Sequence, residues 1–252
     1  MQSERAIGKA LTTLESKYGI TRDMLFVASK AGYIPEDAHN EIPLRQMIQR
    51  LIEKDGVPED SIVTESAHSM HPTFLKVQLE ESLQRLNLEC LDVLYLQNPY
   101  EAQGPYNTDN VFFDRLAGAF EFLESMVEAG KIKQYGLATY SSLRVKSSST
   151  KMFLSLQQVV RTAQKVVGED KKHNLKFVQV PCNVLMPEAF IERWQPVEDE
   201  NKVTKNRVLV TACNELGLNM VASQPLAQGM ATNVPLSRIA VPEVYSIPAR
   251  HL

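Results

Sequence analysis

Short apolar runs along this chain alternate with longer stretches in which apolar residues recur every three or four positions. The clearest run is Val93-Leu94-Tyr95-Leu96, within Leu88–Pro99. Unbroken apolarity of this kind fits a parallel strand covered on both faces. Its C-terminal end turns abruptly polar at Gln97, Asn98 and Pro99. Just upstream, Leu75, Leu79, Leu83 and Leu86 stand near helical spacing, so a helix leads into the strand. The same order repeats along the chain. Ile7, Leu11 and Leu14 predict a helix over Ser3–Lys17, and a strand follows at Met24–Lys30. Leu116, Phe120, Leu123 and Val127 predict a helix over Phe112–Ala129 with Gly130 as its cap, and a strand follows at Lys133–Thr139. Leu156, Val160, Ala163 and Val167 mark a helix over Leu154–Val167, before a strand at Lys176–Val180. Arg207–Leu216 reads as a helix stopped by Gly217, and Asn219–Ser223 as the last clear strand.

The intervening stretches are less regular. Leu44, Ile48, Leu51 and Ile52 predict a short helix, KDGVPED a turn-rich link, and Ser61–Ser66 a short strand. We read about 33–65 as an excursion from a single domain spanning 1–252. Tyr100–Asn110 and Leu143–Lys151 read as polar loops, and Trp194–Lys205 as polar and irregular. Helix and strand in alternation are the signature of a parallel α/β fold.

Composition narrows the picture by exclusion. The 252 residues are 44% hydrophobic and 23% charged, in the range of an ordinary globular domain. A net charge of −3 gives no concentrated basic face, so no nucleic-acid partner is expected. No apolar run approaches the ~20 residues of a membrane span, so no membrane partner is expected either. Cys90, Cys182 and Cys213 are odd in number and far apart, which fits a reducing, cytoplasmic setting. His68 and His71 lie three apart, but no glutamate completes an HExxH pattern and Pro72 follows directly. Local hydrogen bonding or solvent is their expected fate, and no metal is expected.

Several ordered segments carry a resemblance. Ser82, Leu83, Leu86, Leu88, Asp92 and Pro99 match the pattern SLxxLxLxxxDxxxxHxP, and SERAIGKAL matches SExxxGxAL. Lys30 matches the lysine that closes an xxxxSK strand. Gly130, Lys131 and Gly136 match GKxRxxGxSN; Gln179 and Asn183 match xxQxxxNxL; Pro225 and Gly229 match SPLxxG. Together these resemble the aldo-keto reductases. The resemblance covers nearly the whole chain except Ala31–Glu65 and the two ends. It implies a (β/α)8 barrel of the TIM type, incomplete here: a closed barrel has eight strands, and the five barrel candidates are Met24–Lys30, Asp92–Gln97, Lys133–Thr139, Lys176–Val180 and Asn219–Ser223. Two strands would precede residue 1 and one would follow residue 252, so the chain is expected to be truncated at both ends.

The resemblance also implies chemistry. The family reduces aldehydes and ketones, or oxidises the corresponding alcohols and sugars, with NADP(H) or NAD(H) and no metal. Hydride transfer to a carbonyl leaves an alkoxide, which the family protonates from a tyrosine acidified by a lysine, while a histidine aligns the carbonyl. An aspartate pairs with the lysine. The lysine falls on Lys30 and the histidine on Gln97; the tyrosine and aspartate belong to a stretch outside this chain. Tyr33 lies near the mouth, with nothing in the motif to give it that role. Cofactor contacts fall on Thr139 and Gln179 for the carboxamide, with Ala138 unable to take part, and on Ser223, Leu226 and Gln228 around PLAQG. Two readings follow: an oxidoreductase of small carbonyl or sugar substrates, impaired in this chain, or a non-catalytic barrel relative that binds cofactor or a protein partner. A different barrel with coincidental matches is disfavoured by the number of ordered motifs.

Overall fold

The apolar runs assemble into one sheet. A computed structural model of the chain describes residues 2–35, 42–147 and 152–232. Helix α1 (Gln2–Tyr18) precedes strand β1 (Ala28–Ala31); helix α2 (Leu44–Glu53) precedes a minimal hairpin, β2 (Ile62–Val63) with β3 (His68–Ser69). Helix α3 (Pro72–Leu86) leads into β4 (Leu91–Gln97), which runs on into the short helix α4 (Pro99–Gln103). Helix α5 (Asp109–Glu128) leads into β5 (Ile132–Ala138), and α6 (Leu156–Val167) into β6 (Leu175–Pro181). A short helix α7 (Glu188–Ile191) and a hairpin of β7 (Gln195–Glu198) with β8 (Thr204–Arg207) precede α8 (Leu209–Glu215) and β9 (Asn219–Ser223). Strands β1, β4, β5, β6 and β9 form one sheet in that spatial order, every pair parallel. These are the five strands predicted for the barrel.

Alternation divides the sheet into two faces. The outer face presents Leu94, Leu96, Tyr135, Leu137, Val178 and Val180 to the helices, all within one buried core. Leu75, Leu79, Leu83 and Leu86 of α3 and Leu116, Phe120 and Leu123 of α5, from the stripes read from the sequence, are buried there, with Val127 partly buried against them and Phe112 added to the core. Each such side chain contributes roughly 1.5–3 kcal/mol of transfer free energy. The inner face is narrower: Val93, Tyr95 and Ala138 form a separate cluster with Phe177. Among the described residues β1 and β9 are the two edges. The excursion between β1 and α3 has a core of its own, with Ile34, Val57 and Ile62 packed on Phe74 and on the apolar stripe of α2.

Five local readings need correction. The first strand begins at Ala28, not Met24, because Arg22–Met24 forms a 3-10 turn and the Val27 N–H donates to the Asp92 carboxylate at 2.7 Å. The strand expected over Ser61–Ser66 is limited to Ile62–Val63, because the chain turns back to pair with His68–Ser69. Trp194–Lys205 contributes to a hairpin rather than an irregular stretch. Asp199 nucleates its turn by accepting hydrogen bonds from the Asn201 and Val203 N–H groups and from Lys205 Nζ. Arg207 therefore ends a strand and does not start the helix. Tyr100–Asn110 is not all loop, since Pro99 sits in the first turn of α4, where its missing N–H costs nothing. Ser148–Lys151 of the expected serine-rich loop and the proline-rich 233–252 lie outside the described residues.

Motif residues explain how the layers lock. Glu4 of α1 accepts from Arg85 Nε at 2.6 Å and from Ser29 Oγ at 2.6 Å, tying α1 to α3 and β1. Gly8 faces the C-terminal end of α3 so closely that a Cβ would stand 2.5 Å from the Arg85 carbonyl oxygen. Asp92, buried at the start of β4, pairs with Arg22 at 2.7 Å and Lys133 at 2.8 Å. Burial opposes its charge, but hydrogen bonds from Lys133, the Val27 N–H and Arg22 outweigh that and hold the carboxyl below the usual aspartate value.

Two outcomes are expected. Gly8→Ala gains ~1 kcal/mol of helix propensity but forces backbone apart, at ~1–3 kcal/mol; a urea midpoint at or above the parent's would contradict this packing. Asp92→Asn loses both ion pairs, costing on the order of 1–3 kcal/mol at neutral pH. Because the folded carboxyl titrates low, the parent's advantage is complete above the unfolded value of about 3.9 and disappears as pH falls through the folded one. Denaturant titrations of both proteins across acid pH read this directly: parallel stability curves would refute the assignment.

Candidate functional site

Strand register sets which side chains share the open end of the sheet. Lys30 pairs with Tyr95, Tyr95 with Gly136, and Gly136 with Phe177, so these lie in one rung of the inner face. One rung further toward the strand ends stand Gln97, Ala138, Gln179 and Val221. At ~4.8 Å per strand, the two glutamines are ~10 Å apart across Ala138. The C-terminal end of parallel strands is where barrel folds carry their chemistry. Lys30, Gln97 and Gln179, singled out from the sequence, are thus brought to one face and one end.

Below the polar rung lies an aromatic floor. A Cβ at Gly136 would stand 2.5 Å from the Phe177 carbonyl and 2.9 Å from the Tyr95 ring, so only glycine allows the two rings to close over β5. Tyr95 and Phe177 meet near edge-on, with centroids 6.4 Å apart, and Phe26 packs on Phe177 at 5.8 Å. Lys30 rises beside this floor. Burial lowers its ammonium pKa, and among the described residues no carboxylate pairs with it.

The strand ends are held by loop contacts that no motif announces. Asn98 adopts left-handed backbone, φ 47°, and donates its N–H to the Ala138 carbonyl at 2.6 Å. Its Nδ2 donates to the Tyr33 hydroxyl at 3.4 Å, which places Tyr33 beside the end of β4. Glu101 Oε1 accepts from three consecutive N–H groups, those of Tyr140, Ser141 and Ser142, each at 2.9 Å. Arg144, buried, donates to the Tyr140 carbonyl and pairs with Glu188 at 2.6 Å, joining the loops after β5 and β6. Asn183 Nδ2 donates to the Gln224 carbonyl and so joins the β6 loop to the loop after β9.

The remaining predicted residues lie along that last loop. Ser223 closes β9, and its carbonyl accepts from the Cys182 N–H. Leu226 and Gln228 are exposed. Gln224, Ala227 and Gln228 all carry positive φ, an unusual cluster for residues other than glycine. Thr139, just past the end of β5, is buried, and among the described residues its Oγ1 has no hydrogen-bond partner.

His68 was expected to find local hydrogen bonds or solvent, and it is fully buried. Its Nε2 lies 2.9 Å from the Gln97 carbonyl oxygen, and its Nδ1 lies 3.2 Å from Gln103 Nε2. Burial pushes the imidazole from 6.5 down to about 4, so it is neutral at physiological pH. His71 caps α3 by accepting from the Thr73 N–H. Among the described residues no group of three or more histidine, cysteine, aspartate or glutamate side chains is arranged to hold a metal, and no helix is long and apolar enough to cross a membrane. The sequence signal for His68, Glu101, Gln103 and Arg144 was absent: each acts across elements that only the fold brings together.

Comparison with known proteins bears on the fold and the family. A solved aldo-keto reductase from Bacillus halodurans, AKR11C1 in its holo form, superposes with a TM-score of 0.50 at 15% identity. The match covers 92% of this chain and 51% of that one. A provisionally assigned 2,5-diketo-D-gluconic acid reductase B matches at TM-score 0.48 and 16% identity, over 92% of this chain and 52% of that one. The chain therefore spans about half the length of the solved structures it matches. The sequence profile of the Aldo/keto reductase family matches residues 1–240. The chain belongs to the aldo/keto reductase family.

Proposed function

We propose that this chain carries part of the active site of an NAD(P)(H)-dependent oxidoreductase that reduces small aldehydes and ketones, or oxidises the corresponding alcohols and sugars. The observation that carries the reading is the placing of Lys30, Gln97 and Gln179 on one inner face at the C-terminal end of one parallel sheet. Family membership supports it. The three unpaired cysteines fit a reducing compartment such as the cytoplasm.

The residues present suit a nicotinamide. Thr139 Oγ1 is a buried hydroxyl without a partner among the described residues, and Gln179 offers both a donor and an acceptor. A carboxamide has the complementary set. Gln179 and Thr139 would hold that group, Ser223 stands where the family's nicotinamide-stacking aromatic falls, and the loop at Leu226 and Gln228 would meet the phosphates. The bound cofactor supplies or accepts the hydride. Gln97 donates an amide N–H to the carbonyl oxygen and strengthens that bond as negative charge develops there. It has no titrating group and cannot supply the proton itself. Lys30 holds a proton on Nζ one rung below Gln97; the residue is exposed overall, but partial desolvation lowers its pKa and makes it a better acid than a fully solvated lysine.

A second reading, binding without turnover, draws on one residue. Glutamine at 97 in place of histidine leaves the site without the imidazole of its relatives.

Steady-state reduction of an aldehyde and ketone panel, with NADPH and NADH, separates these readings. Gln97→Ala is expected to lose ~2.7–4 kcal/mol of stabilisation, about 10²–10³ in kcat, whereas Gln97→His adds a pH limb that the parent lacks. The parent rate should fall as pH rises through the lowered Lys30 pKa, and Lys30→Met should remove that limb. Gln179→Ala should weaken NADPH binding by ~1 kcal/mol, read by nicotinamide fluorescence. Equal rates for Gln97→Ala and the parent across the panel would reject the catalytic assignment, and binding without turnover in the parent would establish the second reading.

A further inference from the structure

We propose that His68 is a positioning residue for Gln97, through a one-way chain of hydrogen bonds that starts at Arg115 and ends on the Gln97 carbonyl. Its bearing on turnover rests on the role given to Gln97 above; the geometry itself does not. Arg115 donates through one guanidinium nitrogen to Gln103 Oε1 at 2.7 Å and through the other to the Asp60 carbonyl at 2.6 Å. A guanidinium has no acceptor, so it fixes which end of the Gln103 amide faces it. The Gln103 NH2 group is thereby turned toward His68, 3.2 Å from Nδ1. An NH2 group donates, so Nδ1 must be the bare, accepting nitrogen. The imidazole proton then sits on Nε2, which donates to the Gln97 carbonyl at 2.9 Å. Every link has one direction only.

The surroundings leave the ring no other pose. His68 and Gln103 are both fully buried. The Tyr33 ring packs edge-on against the imidazole, with centroids 5.0 Å apart and planes at 89°. On the opposing segment, a Cβ at Gly32 would stand 2.5 Å from His68 Nε2 and 3.3 Å from the Gln97 carbonyl oxygen. Only glycine there lets imidazole and carbonyl meet. The carbonyl belongs to the last residue of β4, directly before Asn98 turns into left-handed backbone. Fixing that peptide plane fixes the direction in which the Gln97 side chain leaves the strand. A mere packing histidine would need neither a defined tautomer nor a donor to this carbonyl.

The test uses the 252-residue chain labelled with 15N. Long-range 15N–1H spectra of the histidine rings, with His68→Gln identifying the signal, should show one imidazole that is neutral, protonated on Nε2 and bare on Nδ1. The side-chain NH2 pair of Gln97, identified by Gln97→Ala, reports the orientation. It should stay in place in His68→Gln, whose amide nitrogen can make the same donation, and move in His68→Leu, which keeps bulk without a donor. A proton on Nδ1, or an unmoved Gln97 pair in His68→Leu, overturns the proposal. If His68→Leu does not fold, Arg115→Met at its half-buried position removes the group that orients Gln103. A second His68 tautomer should then appear, and an unchanged ring spectrum overturns the proposal. Failure to turn over any carbonyl substrate would reject the functional reading while leaving these spectra as predicted.

Discussion

Side chains of a β-strand alternate between faces, so a slip of one residue between β4 and β5 would turn Gln97 from the open face into the helical layer. That register is the constraint on which the site depends. It is enforced from both sides of the sheet. On the outer face, Leu94, Leu96, Tyr135 and Leu137 are buried without exception, and a slip would exchange them for inner-face residues. On the inner face, Gly136 must lie beneath Tyr95 and Phe177, because any other residue at that place collides with both. The two requirements have opposite chemistry and the same answer.

At the other end of the same strands a charge does the aligning. Asp92 draws together the segment before β1, the start of β4 and the start of β5, through Arg22, the Val27 N–H and Lys133. The carboxylate thus works far from the polar rung, at the N-terminal ends of the strands, where charge in a barrel serves assembly rather than reaction. Glu4 and Gly8 act similarly for α1. Much of what makes the motifs recognisable is therefore scaffold.

This division explains what could be read from the chain. Strand β4 was legible because burial on both faces leaves an unbroken apolar run in Val93–Leu96, and the other parallel strands because each short apolar segment follows a helical stripe. Lys30, Gln97 and Gln179 were singled out by the family motifs they fall on, since a polar residue at the end of an apolar run is by itself usually a solvated one. The hairpin of β7 and β8 was not, since its pairing is made by main-chain groups and only Gln195 and Val197 are buried in it. The start of β1 was misplaced because the Val27 N–H is taken by an aspartate 65 positions away. The chain from Arg115 to His68 was invisible for the same reason: its members sit on α5, α4 and β3, and nothing in their spacing joins them.

The contact between Glu101 and the loop after β5 separates the shape of the rim from its composition. Tyr140, Ser141 and Ser142 are gripped by their main-chain N–H groups, so the loop keeps its course whatever side chain Tyr140 presents. Tyr140 is itself about half exposed, at 49%. A loop held this way can change its exposed side chain by substitution without being re-formed beneath it. Proline is the exception at these positions, since it has no N–H to give. The tolerance to variation therefore belongs to the loop, and the intolerance to a single carboxylate on the neighbouring strand's helix.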